Sequence, residues 1–190
     1  EQASVEMESR VTALVSDVAE KQSWQAVFSD TEVNGWLTAV LPEKFPQLLP
    51  PSVSDLRVKF SDNVADFGFR YQEGDFVSVI SLRVAAASEG DEMVAIRLLS
   101  ASAGTLPIPL ARIVNSITEG SRQQQLAVRW TQQEGDPVAL VPISQLLSTS
   151  DVERTLEAIE LHQGELYVAG STRKTITNMQ VSSGNSVLSK

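Results

Sequence analysis

Few side chains in this sequence could carry acid–base chemistry. His162 is the single histidine, and Asp62, Asp66, Glu73 and Asp75 fall close together along one stretch. A histidine can act as a general base or bind a metal. One histidine cannot build a His-rich metal site, and no Ser or Cys stands in an evident pairing with it. It sits just before a predicted turn, opposite Glu165, where a solvated hairpin position accounts for it. Paired carboxylates could support hydrolysis. Here the four acids fall at turns and on the polar face of alternating strands, so a hydrolase using them ranks behind a surface role. The sequence contains no D-x-D-x-D-G calcium loop, no G-x-G-x-x-G or G-x-x-x-x-G-K-[ST] phosphate cradle and no G-x-S-x-G elbow. Without cysteine there are no disulfides and no thiolate metal sites. The residue types therefore point to no catalytic residues, no metal and no cofactor.

Composition narrows the class further. The chain has 190 residues, 42% apolar and 21% charged, which suits one globular domain spanning 1–190. The net charge of -9, with Lys and Arg scattered, argues against nucleic acid, whose phosphates need clustered cations. Lack of cysteine fits a reducing cytoplasm and equally an envelope protein without disulfides. No segment reaches the ~20 apolar residues of a membrane span. The chain begins at Glu1 without Met, which reads as a processed piece that could have lost a signal or anchor.

The elements that must position any site follow from periodicity. Met7, Val11, Leu14, Val15 and Val18 recur at helical spacing and predict a helix over 4–22, either packed on the domain edge or continuing an upstream anchor. Ser29 and Glu32 form a capping box, with Phe28 and Val33 in the staple positions, and Val33, Trp36, Leu37, Val40 and Leu41 predict a helix over 30–41 that Pro42 stops. Prolines 42, 46, 50 and 51 then mark a stiff loop. Strands are expected over 54–61, 64–72, 75–87 and 92–102. With Asp62-Asn63 as a turn, Val58 faces Phe67, Leu56 faces Phe69, and Lys59 pairs with Asp66 on the other face. In the third strand, Ile80, Leu82 and Val84 share one face and Val77 and Val79 the other. Residues 104–110 lead rigidly into a third helix with Leu110, Ile113, Val114 and Ile117 buried and Gly120 as its cap. Strands near 125–132 and 137–142, a short helix over 143–149, and a hairpin over 153–171 complete the order. In that hairpin Gln163-Gly164 sets Leu161 against Leu166 and Ile159 against Val168. A polar tail, rich in Ser, Thr and Asn, runs from Thr172 to the end, either loose or as an edge strand. This predicts an α+β fold, a curved antiparallel meander with amphipathic helices packed on one face.

The aromatic residues concentrate in Trp36, Phe45, Phe67, Phe69, Tyr71 and Phe76. Core packing explains them. They could also line an apolar cleft between helix and sheet, with Trp36, Leu37, Leu41, Phe67 and Phe69 as the lining residues. Apolar residues on both faces of 76–84 fit that cleft, and equally a strand buried between two layers.

Three stretches carry a family resemblance. Phe28-Ser29-Asp30-Thr31-Glu32-Val33-Asn34-Gly35-Trp36-Leu37 resembles the F-[ST]-x-x-E-[LV]-N-x-[WL]-L opening of the YpmS-like and LmeA-like bacterial envelope proteins. Ala103 to Leu110 is similar to their G-x-[LI]-P-[LI]-P helix lead-in, and Ile159 to Val168 to their closing L-x-[DN]-G-x-L-x-[VL] hairpin. The resemblance implies an anchored or exported protein, working outside the cytoplasmic membrane, with a tubular, lipid-binding-like architecture and no established catalysis. The leading expectation is a non-enzymatic envelope domain that binds an apolar or amphipathic, lipid-like ligand, with membrane association through a segment outside this chain. The alternative is a structural or protein-interaction module with a dry core and no ligand cavity; for location, the alternative to the envelope is the cytoplasm.

Overall fold

A computed structural model of the chain describes residues 2–46, 49–90, 92–142 and 152–174. Its elements run in the order α1 (Gln2–Glu20), β1 (Ser23–Ser29), α2 (Asp30–Ala39), α3 (Leu41–Lys44), β2 (Val53–Ser61), β3 (Val64–Glu73), β4 (Phe76–Glu89), β5 (Met93–Ala103), β6 (Leu106–Pro107), α4 (Leu110–Gln123), β7 (Arg129–Gln133), β8 (Asp136–Pro142), β9 (Val152–His162) and β10 (Glu165–Lys174). The fold is α+β, and every strand pairing among the described residues is antiparallel.

Two open sheets form. The larger runs β2-β3-β4-β5-β8-β7, with β6 added beside β5, and the smaller runs β1-β10-β9. The core lies where they meet. One buried cluster joins Val58, Phe60, Ala65, Val84 and Leu98 of the large sheet to Leu161 of the small one. A second joins Val18 of α1, Trp24, Val94 and Leu156, and Ile96 packs against both. Each contributes alternate strand residues, as a half-buried sheet requires.

The strands from 54 to 102 and the closing hairpin form at the expected places and in the expected register, with Val58 opposite Phe67, Leu161 opposite Leu166, and Ile159 opposite Val168. Local departures have local causes. A bulge between Ser54 and Arg57, where Asp55 takes φ 55°, breaks the ladder before Leu56 can pair with Phe69. Pro42 does not end the helical path. α2 stops at Ala39, and Pro42 sits at the start of α3, where its missing N–H costs nothing. Gly120 lies inside α4 and does not cap it. The helix continues to Gln123, and Gln125 at φ 56° makes the turn out. β7 starts at Arg129, later than expected. β1 was not foreseen, and Thr172 belongs to β10 rather than to a tail, its side chain buried and its hydroxyl donating to the Val18 carbonyl at 2.9 Å. The expected helix over 143–149 and the tail beyond 174 lie outside the described residues.

The helices do not form one simple layer on one sheet. α1 packs on α2, β1 and β10, α2 lies along β2, and α4 packs on β5. Val18 of α1 is buried, while Val15 turns outward. At the α1–α2 contact a side chain on Gly35 would meet the Ala3 Cβ at 2.9 Å, so glycine permits the close approach.

Candidate ligand-binding site

β2 ends the large sheet, so its outer edge would leave backbone groups unpaired. α2 covers part of that edge through one side chain. Asn34 Nδ2 donates to the Val58 carbonyl at 2.7 Å, and Asn34 Oδ1 accepts from the Val58 N–H at 2.8 Å. The amide thus reproduces, at one residue, the pairing a neighbouring strand would make. Farther along the edge the closing hairpin docks. Asn63 N–H donates to the Leu161 carbonyl at 2.9 Å, and Gly164 N–H donates to the Phe60 carbonyl at 3.0 Å. The Gly164 carbonyl accepts in turn from the N–H of Asp30, the first residue of α2, at 2.9 Å. The β2–β3 and β9–β10 hairpins therefore meet at their turns, and α2 starts from that junction.

The N-terminus of α2 is held as the sequence predicts. Ser29 Oγ accepts from Glu32 N–H at 3.1 Å, and Glu32 Oε2 accepts from Ser29 N–H at 2.8 Å. Glu32 is buried, and its Oε1 meets Arg10 of α1 at 2.8 Å. Burial pushes the Glu32 carboxyl up, but the hydrogen bonds from Ser29 and the Arg10 guanidinium outweigh it and hold the carboxyl below its ordinary range.

This frame supports an apolar wall around the first core cluster. Leu37 of α2, Phe67 of β3, Leu82 of β4, and Ile113, Val114 and Ile117 of α4 all pack against that cluster, and each keeps part of its surface in solvent. α4 is tied to β7 by Trp130, whose Nε1 donates to Thr118 Oγ1 at 2.9 Å. Such half-open apolar surface, walled by elements of separate origin, is what an apolar ligand can occupy.

The five residues predicted to line a cleft are partly brought together. Leu37 and Phe67 face the same cluster. Trp36 instead packs on Phe45, ring centroids 5.9 Å apart. Leu41 is buried at the start of α3, and Phe69 sits opposite Ile80 on β3. The α4 residues were read as a buried stripe, but no local signal could place them on the cluster that Phe67 also packs against.

The acid–base candidates do not assemble. His162 is exposed and paired with Glu160 at 3.1 Å. Asp66 sits opposite Lys59 in register, yet its carboxylate takes a two-bond pair from Arg83 of β4, at 2.7 and 3.0 Å. Glu73 accepts from the Tyr71 hydroxyl at 2.8 Å. Among the described residues no three His, Asp or Glu side chains cluster as a metal would need, and no helix is long and apolar enough to cross a membrane. Among the described residues, a hollow of about 360 Å³ over Asp66, Arg83 and Ser102 and another of about 650 Å³ between the end of α1 and β10 are lined by none of the five predicted residues. No protein-family model, curated protein or solved structure matches the chain.

Proposed function

We propose that this chain is a non-enzymatic ligand-binding domain that takes an apolar or amphipathic, lipid-like molecule against the apolar wall between α2, α4 and the large sheet. The supporting observation is that Leu37, Phe67, Leu82, Ile113 and Ile117 surround one buried cluster while each stays partly open to solvent. A closed core would hide such residues, since burying a large aliphatic side chain contributes about 1.5–3 kcal/mol. A ligand supplies the missing cover. In keeping with the resemblance to the YpmS-like and LmeA-like proteins, the domain works outside the cytoplasmic membrane, tethered by a segment beyond this chain. Trp36, Leu41 and Phe69 are not among the residues that pack against this cluster and carry no part of the proposal.

Titration with a fluorescent fatty-acid probe tests the site. The wild type should bind it saturably. Phe67→Ser and Ile117→Ser should weaken it by about tenfold each, a loss equivalent to one large apolar contact, with folding checked by circular dichroism. Folded variants that bind the probe as the wild type does would remove the wall from the proposal.

A further inference from the structure

Asn34 and Gly35 are neighbours on α2, and the fold needs each for its own reason. Asn34 closes the β2 edge, its Nδ2 donating to the Val58 carbonyl at 2.7 Å and its Oδ1 accepting from the Val58 N–H at 2.8 Å. That task requires a donor and an acceptor on one short side chain. Gly35 lets α1 approach, since an added Cβ would stand 2.9 Å from both the Ala3 Cβ and the Ser4 backbone nitrogen. Packing and edge pairing together place asparagine before glycine, the dipeptide in which a side-chain amide is most readily lost. A glycine nitrogen, with no Cβ beside it, reaches the preceding side-chain carbonyl unhindered. The other asparagines precede Val64, Ser116, Met179 and Ser186, whose side chains hinder that approach. In the folded chain the reaction is withheld. The Gly35 N–H lies within the helical ladder, and the Asn34 amide is held at both ends, so neither can move onto the other.

We propose that Asn34 is a deamidation site gated by the fold: it is inert while α2 lies on β2 and reacts irreversibly when the two part. In the parted state the Gly35 nitrogen bonds to the Asn34 Cγ, and the side-chain nitrogen leaves as ammonia, taking the Gly35 proton. Water then opens the cyclic imide at either carbonyl. One product carries aspartate at this position. The other runs its backbone through the former side chain and gains a methylene in the main chain. Neither returns to the native fit. Aspartate turns a carboxylate oxygen toward the Val58 carbonyl where Asn34 supplied a donor, and Val58 is buried, so that carbonyl goes unpaired. The lengthened backbone breaks the helical ladder in the second turn of α2. A molecule that has opened here long enough to react is left with an uncovered β2 edge, the kind of edge that pairs with other chains.

Peptide mapping by mass spectrometry tests this on the full wild-type chain, held in mildly alkaline buffer with and without denaturing urea. In urea the conversion of amide to acid should fall on Asn34 before any other asparagine. Without urea it should be at least about a hundredfold slower, because a reaction that needs the open form runs in proportion to the population of that form. Urea below the unfolding transition should already raise the rate. Asn34→Asp stands in for the first product and should lose about tenfold or more in its folding equilibrium constant by urea unfolding. A variant that does not fold meets the same expectation, and the wild-type rates need no variant. Three results would overturn the proposal: conversion at Asn34 as fast in native buffer as in urea, conversion in urea that falls first on another asparagine, or an Asn34→Asp chain as stable as the wild type.

Discussion

Asn34 does with a side chain what a strand would do with its backbone, and the cost of removing it follows from Val58. Val58 is buried, so losing the amide leaves a buried N–H and a buried carbonyl unpaired. Each such loss costs about 1–3 kcal/mol. Asn34→Leu should therefore lower stability by roughly 2–5 kcal/mol in urea unfolding, whereas Thr38→Ala on the exposed side of the same helix should change it little. Glu32 makes a second prediction, in pH. Its folded carboxyl titrates below the ordinary range, so its stabilising contribution is present above the unfolded value and is lost as pH falls through the folded one. Between about pH 5 and pH 3 the wild-type melting temperature should drop more steeply than that of Glu32→Gln, which has no proton to take up at this position. Parallel slopes would show that the Arg10 and Ser29 contacts do not stabilise the charged form. This capping box was legible in four residues because all its partners are local. The fate of Asp66 was not: its strand register against Lys59 could be read, but Arg83 stands on the next strand and binds with two hydrogen bonds rather than none.

At the scale of elements, the hairpins and meander were readable because turn residues and period-two alternation fix register between strands that follow one another. β1 shows what such reasoning misses. Trp24, Ala26 and Phe28 do alternate inward, but their partner is β10, far along the chain, and a lone short strand before a capped helix gives a weak local signal. That pairing creates a tight spot. Gly170 lies at a bulge under the Trp24 ring, and an added Cβ would overlap both that ring and the Thr155 carbonyl. Gly170→Ala should destabilise by about 1–3 kcal/mol or more, as overpacking does, read by thermal melting. Gly68→Ala, on β3 with open space where its Cβ would lie, should cost far less. Equal effects would mean that the Trp24–Gly170 contact does not hold the small sheet together. Pro42 and Gly120 teach the converse. Both residue types are strong punctuation on average, yet Pro is at home in a first helical turn and Gly is tolerated within a helix, so neither fixed a boundary here.

At the scale of the molecule, the two sheets and the α2 frame bury two clusters and leave an apolar wall partly open beside one of them. The sequence singled out Leu37 and Phe67 of that wall, because amphipathic spacing reports which face is apolar. It could not report that α4 arrives at the same cluster, since nothing local encodes which faces meet. The central claim is that a lipid-like ligand covers the wall. Native mass spectrometry of the chain purified from a bacterial host, with organic extraction of anything bound, addresses it most directly. A near-stoichiometric added mass is expected, which extraction identifies as an apolar or amphipathic small molecule and which Phe67→Ser reduces. An apo mass under the same gentle conditions, with no extractable lipid, would contradict it and favour a dry interaction module.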